Sequence, residues 1–98
     1  MGPKGGVTYE RLTRGNGQME VLRAVFAPGQ FSAEDPLRHP SLECVYVING
    51  TLTAEIGGIS HVVKAGESIT FDAQQAHRYT NQGDSDAEVI VSITPPVP

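Results

Sequence analysis

The 98-residue sequence predicts a single all-β domain, folded as a closed or nearly closed antiparallel barrel. Three observations support this prediction. Short segments with strand-like composition are separated by turns rich in glycine and proline, of which the chain has 11 and 7. No window of a dozen residues keeps apolar side chains at the spacing of an amphipathic helix. The strands also recur at the short intervals expected of a sandwich or barrel.

Eight segments have the length and composition of β-strands. They span residues 7–12, 19–27, 42–48, 51–56, 59–64, 68–71, 77–81 and 87–94. Between them, Asn49-Gly50 is the strongest short signal for a β-hairpin, and Gly57-Gly58 predicts another. Pro95-Pro96 ends the last strand, because proline has no N–H to donate to a neighbouring strand.

The strand at 42–48 is apolar on both of its faces. One face carries Glu43, Val45 and Val47, and the other carries Leu42, Cys44, Tyr46 and Ile48. A strand that is apolar on both faces is normally buried on both. We therefore expect one face to line the barrel interior and the other to be covered by a second sheet or by a second copy of the chain, as a homodimer.

Composition narrows the class of protein. The net charge of −4 disfavours direct contact with nucleic acid or an anionic membrane. Cys44 is the only cysteine, so no disulfide forms within the chain, and no apolar run reaches the roughly 20 residues of a membrane span. We expect residues 1–6 to be a flexible tail, residues 7–98 to form the barrel, and the protein to be cytoplasmic.

Two imidazoles and a carboxylate, from His39, His77 and Glu43, form a donor set used by iron, zinc and manganese sites. On a straight strand His39 and Glu43 would lie about 13 Å apart, at about 3.3 Å per residue, which is too far for one metal ion. The chain must therefore bend between them. Pro40 supplies the bend, because it fixes its own φ and restricts the residue before it.

Two segments resemble the paired motifs of the cupin superfamily. Residues 39–50 have a histidine, then a glutamate, then six residues and Gly50, as in the first motif. Residues 66–81 run from a turn glycine to His77 and then to Asn81, as in the second. The resemblance implies an antiparallel double-stranded β-helix, or jelly-roll barrel. In detail the chain looks most like the C-terminal cupin domain of regulators that carry an N-terminal Cro-type helix-turn-helix.

The chain departs from the cupin pattern at one expected metal ligand. Leu37 stands where the first motif normally has another histidine, and Asp72, Gln74 and Ala76 replace the usual proline and glycine residues of the second. At most three of the four usual ligands remain: His39, Glu43 and His77. Two interpretations stay open: a site for one divalent metal (Fe, Zn, Mn or Ni), or a metal-free polar pocket. In both, we expect Leu37, Val45 and Tyr79 to contact a bound small molecule.

The resemblance leaves three functional hypotheses. The favoured one is an effector-sensing domain of a transcriptional regulator whose DNA-binding domain is not in this chain. The second is a small metal-dependent enzyme of the dioxygenase or isomerase type, and the third is a binding or storage protein without chemistry. Apart from the three candidate ligands, no acidic or basic side chain is clearly predicted to face the interior of a central strand, so no catalytic residue is nominated.

Overall fold

The computed structural model of the chain describes residues 6–14 and 17–96. They form eight strands: β1 (Thr8–Arg11), β2 (Glu20–Phe26), β3 (Leu42–Asn49), β4 (Thr51–Ile56), β5 (Ile59–Lys64), β6 (Ser68–Asp72), β7 (His77–Thr80) and β8 (Ala87–Thr94). These bounds follow the predicted ones closely, and the all-β prediction is confirmed. Nothing in the described ranges forms a helix long and apolar enough to span a membrane. The predicted tail lies outside the described residues except for Gly6.

The strands form two antiparallel sheets that face each other. The larger sheet has the order β1-β2-β8-β3-β6, and the smaller has the order β5-β4-β7. The long connection from β2 to β3 runs along the free side of β7, where single bridges join Phe31 to Thr80 and Leu37 to His77. This connection therefore extends the small sheet and runs alongside β7, with Phe31 at its end and Leu37 at its start.

The turn at Asn49-Gly50 is a corner between the sheets and not a hairpin, so that prediction is wrong. β3 pairs with β6 and β8, whereas β4 pairs with β5 and β7. Gly50 has a φ of +80°, and a Cβ there would lie 2.3 Å from the carbonyl oxygen of Asp86. Glycine is thus required because the corner crosses close to the backbone before β8. The Gly57-Gly58 hairpin between β4 and β5 forms as predicted.

The core lies between the sheets. Its largest fully buried side chains are Phe26, Val45, Val47, Leu52, Val89 and Asn81. The alternation predicted for β3 is confirmed, since Glu43, Val45 and Val47 point inward. On the opposite face, Leu42 is 52% exposed and Tyr46 is 44% exposed, so no other part of the described chain covers that face.

The buried side chain of Asn81 joins the β7–β8 connection to the end of β2. Its side-chain N–H₂ group donates to the carbonyls of Phe26 and Ser85, each at 2.8 Å, and its carbonyl oxygen accepts from the Gly83 N–H at 2.9 Å. All three hydrogen bonds of this buried amide are to backbone groups. Asn81 is therefore a structural residue at the β7–β8 corner.

Candidate metal and ligand site

Three separate parts of the fold bring His39, Glu43 and His77 together. Glu43 lies near the start of β3 in the large sheet, and His77 is the first residue of β7 in the small sheet. His39 lies on the β2–β3 connection, where its N–H donates to the carbonyl of Ala73 at 2.9 Å. The chain turns just after it, and the Ser41 N–H donates back to the His39 carbonyl at 2.9 Å. The bend required by the sequence spacing is present.

The three side chains present one donor atom each to a common point. The Nε2 atoms of His39 and His77 are 3.1 Å apart. Glu43 Oε1 lies 3.1 Å from His39 Nε2 and 3.6 Å from His77 Nε2. Glu43 is only 3% exposed and His77 only 5%. The donor atoms therefore form a compact triangle that is largely shielded from solvent.

Further hydrogen bonds orient two of these donors. His77 Nδ1 lies 2.8 Å from the carbonyl oxygen of Gln75. Since a carbonyl only accepts, Nδ1 carries the hydrogen, and the lone pair of the neutral ring is on Nε2. The hydroxyl of Tyr79 donates to Glu43 Oε2, which leaves Oε1 facing the histidines. His39 Nδ1, by contrast, is buried without a hydrogen-bond partner.

The pKa values of the site reflect burial competing with these contacts. Burial alone would raise the pKa of Glu43, but hydrogen bonds from His77 and Tyr79 and the nearby imidazoles outweigh it and lower the pKa. Burial would lower the pKa of His77, yet its bonds to Glu43 and the Gln75 carbonyl raise it. Burial and the Glu43 carboxylate together raise the pKa of Tyr79 well above its usual value. Tyr79 is therefore a neutral hydrogen-bond donor.

The donor triangle lies at the polar end of a pocket of about 270 Å³. Most of the pocket wall is apolar and comes from Leu22, Phe26, Leu37, Val91 and Ile93. Ser32 and the rings of Tyr9 and Tyr79 complete the wall. A mostly apolar cavity with a few convergent polar groups is the usual form of a small-molecule site.

The spacing of the triangle fits a single divalent ion. Donors about 2.1 Å from one ion, at adjacent positions of a tetrahedral or octahedral shell, lie about 3.0–3.4 Å apart, close to the distances seen here. The set of two imidazole nitrogens and one carboxylate oxygen suits iron(II), zinc and related ions. The hydrogen bonds to Gln75 and Tyr79 are the kind of outer contact that fixes metal ligands in place.

The sequence of residues 22–93, most of the chain, matches the family described as "Cupin domain" (Cupin_2). This chain is a cupin. It is 30% identical over 76 residues to polyketide synthase CurC of Streptomyces cyaneus, a match that covers 76% of this cupin and 48% of that protein. The chain thus spans about half the length of this relative.

Solved structures show the same fold as this cupin. The Cupin_2 domain of an XRE-family transcriptional regulator from Enterobacter cloacae has a TM-score of 0.81 and 22% identity, covering 93% of this chain and 98% of that one. A putative sugar phosphate isomerase from Acidithiobacillus ferrooxidans has a TM-score of 0.70 and 26% identity, covering 82% of this chain and 52% of that one. The fold thus occurs in proteins that are named for different functions.

The residues predicted for ligand contact lie in different environments in this cupin. Leu37 and Tyr79 form part of the pocket wall. Val45 lies deeper in the interior, fully buried in the hydrophobic core, and is not among the residues lining the pocket. The role of all three in ligand binding stays a prediction.

Sequence reasoning missed Tyr9 and the partner of Tyr79. Tyr9 reaches the pocket because β1 pairs with β2, which sets Tyr9 opposite Ala24. Nothing in the local sequence indicates that pairing. The face of Tyr79 could be derived from its two-residue spacing from His77, but its bond to Glu43 joins strands of different sheets.

Proposed function

We propose that this cupin is an effector-sensing domain that holds a divalent metal at His39, Glu43 and His77 and binds a small molecule beside it. The convergence of three donor atoms, two of them oriented by further hydrogen bonds, at the end of an apolar pocket carries this proposal. Three protein ligands leave coordination positions for an oxygen atom of the effector. The metal, when bound, would supply positive charge to attract that oxygen.

The metal proposal can be tested at Leu37, which is 56% exposed at the pocket mouth. Leu37→His should tighten metal binding about tenfold or more, because it adds a fourth donor beside a site with three. Leu37→Gln serves as the matched control, with a polar side chain that ligates divalent metals poorly. Affinity is measured by competition with a chelator. If wild type and Leu37→His both stay metal-free after incubation with iron, zinc, manganese and nickel, the metal proposal is wrong.

The size of the barrel supports the sensing proposal. The cupin domain of the XRE-family regulator matches this chain over nearly the full length of both. We propose that this chain is likewise the regulatory part of a transcriptional regulator, with a Cro-type helix-turn-helix encoded upstream of residue 1. The net charge of −4 fits a domain that does not itself contact DNA. We also propose a cytoplasmic location, where the Cys44 thiol would stay reduced.

The sensing proposal predicts a complete gene product that binds DNA. In a mobility-shift assay, its affinity for its own promoter should change when an effector is added, and the effector should be recovered unchanged. An upstream reading frame without a helix-turn-helix pattern would contradict the regulator assignment. Chemical conversion of the bound compound would contradict sensing and favour an enzyme.

The second candidate function is a metal-dependent enzyme. Tyr79 favours it, since its hydroxyl contacts Glu43 at the polar end of the pocket and could exchange a proton with a bound substrate. The Streptomyces relative and the isomerase-like neighbour carry enzyme names. Under this alternative, Tyr79→Phe should reduce kcat far more than KM. Under the sensing proposal, no turnover is found with either protein.

We propose that a second copy of the chain covers the outer face of β3. Leu42, Tyr46 and Ile48 are exposed there, with the partly buried Cys44 between the first two, and a two-fold axis would pair this apolar row with itself. Tyr46→Lys should shift the protein toward monomer, because it places a charge in the middle of the row. Sedimentation at tens of micromolar measures the change. A wild-type protein that sediments as a monomer would contradict the dimer.

A further inference from the structure

The described residues that line the ligand pocket carry one fixed negative charge and no fixed positive charge. Among them, Glu43 is the only carboxylate. Within the described residues, none of the side chains lining the pocket is a lysine or an arginine. The tyrosines and Ser32 are neutral, and a histidine that binds metal does so as the neutral imidazole. When a metal is bound, the ion is therefore the source of positive charge inside the pocket, because both histidines are then neutral ligands.

The nearby cationic side chains are directed elsewhere. Arg78, which follows His77, contacts Glu55 Oε2 at 3.3 Å through its Nε and the carbonyl of Glu34 through its Nη1. Arg38, which precedes His39, is exposed and lines a second hollow, which has His39 in common with the ligand pocket. Neither guanidinium forms part of the wall of the ligand pocket, so neither provides a clamp for phosphate or for a second carboxylate.

We infer that the effector is a monoanion with an apolar body, such as an aromatic or medium-chain monocarboxylate. This inference rests on the proposed metal-dependent sensing. A divalent ion and the Glu43 carboxylate leave one positive charge in the pocket, which one negative charge of a ligand neutralises. A dianion would leave a net negative charge among apolar side chains, and a neutral ligand would leave the positive charge unpaired.

The pocket also limits the size of the ligand. Its volume of about 270 Å³ admits a small ligand. A benzene ring with one carboxylate is smaller than this volume, and its apolar body would lie against walls formed by Leu22, Leu37 and Val91. Sugar phosphates and dicarboxylates match neither the charge nor the lining of the pocket.

Three probes of similar shape test the charge. Benzoate is a monoanion, benzyl alcohol is neutral, and phenyl phosphate is largely a dianion at pH 7.5 because its second pKa is about 6. Titration calorimetry on the zinc-loaded protein should show benzoate binding at least about tenfold more tightly than either of the others. Benzoate binding should be lost when the zinc is removed with a chelator.

A charge substitution at the pocket mouth tests the same inference in the opposite direction. Leu37→Arg adds a positive charge at an exposed position, so it should tighten phenyl phosphate binding at least about tenfold relative to benzoate. Leu37→Gln, which is polar but neutral, should leave the order of the three probes unchanged.

The outcomes separate this inference from the proposed function. If the protein binds zinc but benzoate gains no advantage over the other two probes, the monoanion inference is overturned and the metal site stands. If Leu37→Arg binds phenyl phosphate no better relative to benzoate than wild type does, the monoanion inference is overturned as well. If zinc does not bind at all, the proposed metal-dependent function fails together with the inference.

Discussion

The two ends of the barrel interior differ sharply, although one strand runs through both. At the packed end, Val45 and Val47 of β3 are fully buried in the same hydrophobic cluster as Leu52 and Val89. At the open end, the same face of β3 presents Glu43 to two histidines and a tyrosine. The packed end supplies apolar burial, which stabilises the fold, and the open end supplies polar groups held for binding.

This difference shows how a small domain can maintain a polar interior site. The desolvation of the Glu43 carboxylate and the unpartnered His39 Nδ1 both oppose folding. They are tolerated because the strands that carry them continue into a closely packed core. Substitutions at the packed end should therefore change stability, and substitutions at the open end should change binding.

The largest expected effect is at the packed end. Leu52→Ala should lower the free energy of unfolding by about 2–5 kcal/mol, because it removes a fully buried side chain and leaves a cavity. Urea denaturation measures the change. Leu37→Ala, at an exposed position, is the control and should change stability by less than about 0.5 kcal/mol. Equal effects of the two variants would contradict the assignment of Leu52 to the core.

At the open end, His77→Ala should lower metal affinity by more than about 100-fold, since losing even the hydrogen-bond partner of a ligand costs about 10–100-fold. The barrel should stay folded, because the hairpins and the packed end are unchanged. Elemental analysis and circular dichroism measure the two properties. The control is His61→Ala, which changes a histidine of β5 outside the donor triangle. Retention of metal by His77→Ala would exclude this residue as a ligand.

Tyr79→Phe tests whether the tyrosine orients Glu43. Without the hydroxyl, Glu43 Oε2 loses its hydrogen-bond donor, so metal affinity should fall by about 10–100-fold with all three ligands still present. Chelator competition gives the affinity, and Tyr46→Phe on the outer face is the matched control. An affinity equal to that of wild type would show that Tyr79 does not position the carboxylate.

The smallest effect is the pH dependence of the metal-free protein. The pKa of Glu43 is lowered from 4.5 on folding, so its contribution to stability is present above pH 4.5 and is lost as the pH falls through the lowered value. The pKa of His77 is raised from 6.5, so its contribution is complete below pH 6.5 and is lost as the pH rises through the raised value. The Glu43–His77 contact should therefore stabilise the fold most between pH 4.5 and pH 6.5.

This contact should contribute about 1 kcal/mol, as expected for a hydrogen bond to a charged group that is largely offset by desolvation. The measurement is the free energy of unfolding of wild type minus that of His77→Ala, from pH 3.5 to pH 9 with a chelator present. A difference that is constant across this range would contradict the shifted pKa values.

Local sequence was sufficient for the strands and for the inward face of β3. Strand alternation has a period of two, so the positions of Glu43, Val45 and Val47 on one face follow from the sequence alone. The bend at Pro40 is local in the same sense. The all-β fold was predictable for this reason, because each element depends on residues close to it in the chain.

Whether Asn49-Gly50 forms a hairpin or a corner between sheets depended on the tertiary structure. The dipeptide permits a tight turn in either case, and only the pairing of β3 and β4 with other strands makes it a corner between sheets. The same limit applies to Val45, whose inward face was predictable but whose depth beyond the pocket was not. Depth along a barrel depends on how far each strand is shifted against its neighbours.

The amino-acid sequence by itself determined which side chains could act together in this cupin, namely two histidines, a glutamate and an inward tyrosine. Only the tertiary structure decided that the donor atoms lie within 3.6 Å of one another, that Tyr79 donates to Glu43, and that Tyr9 reaches the pocket. The physical reason is the range of the interactions. Alternation and turn preferences act over a few residues, whereas His39 and His77 meet across 38 positions of the chain through the pairing of sheets.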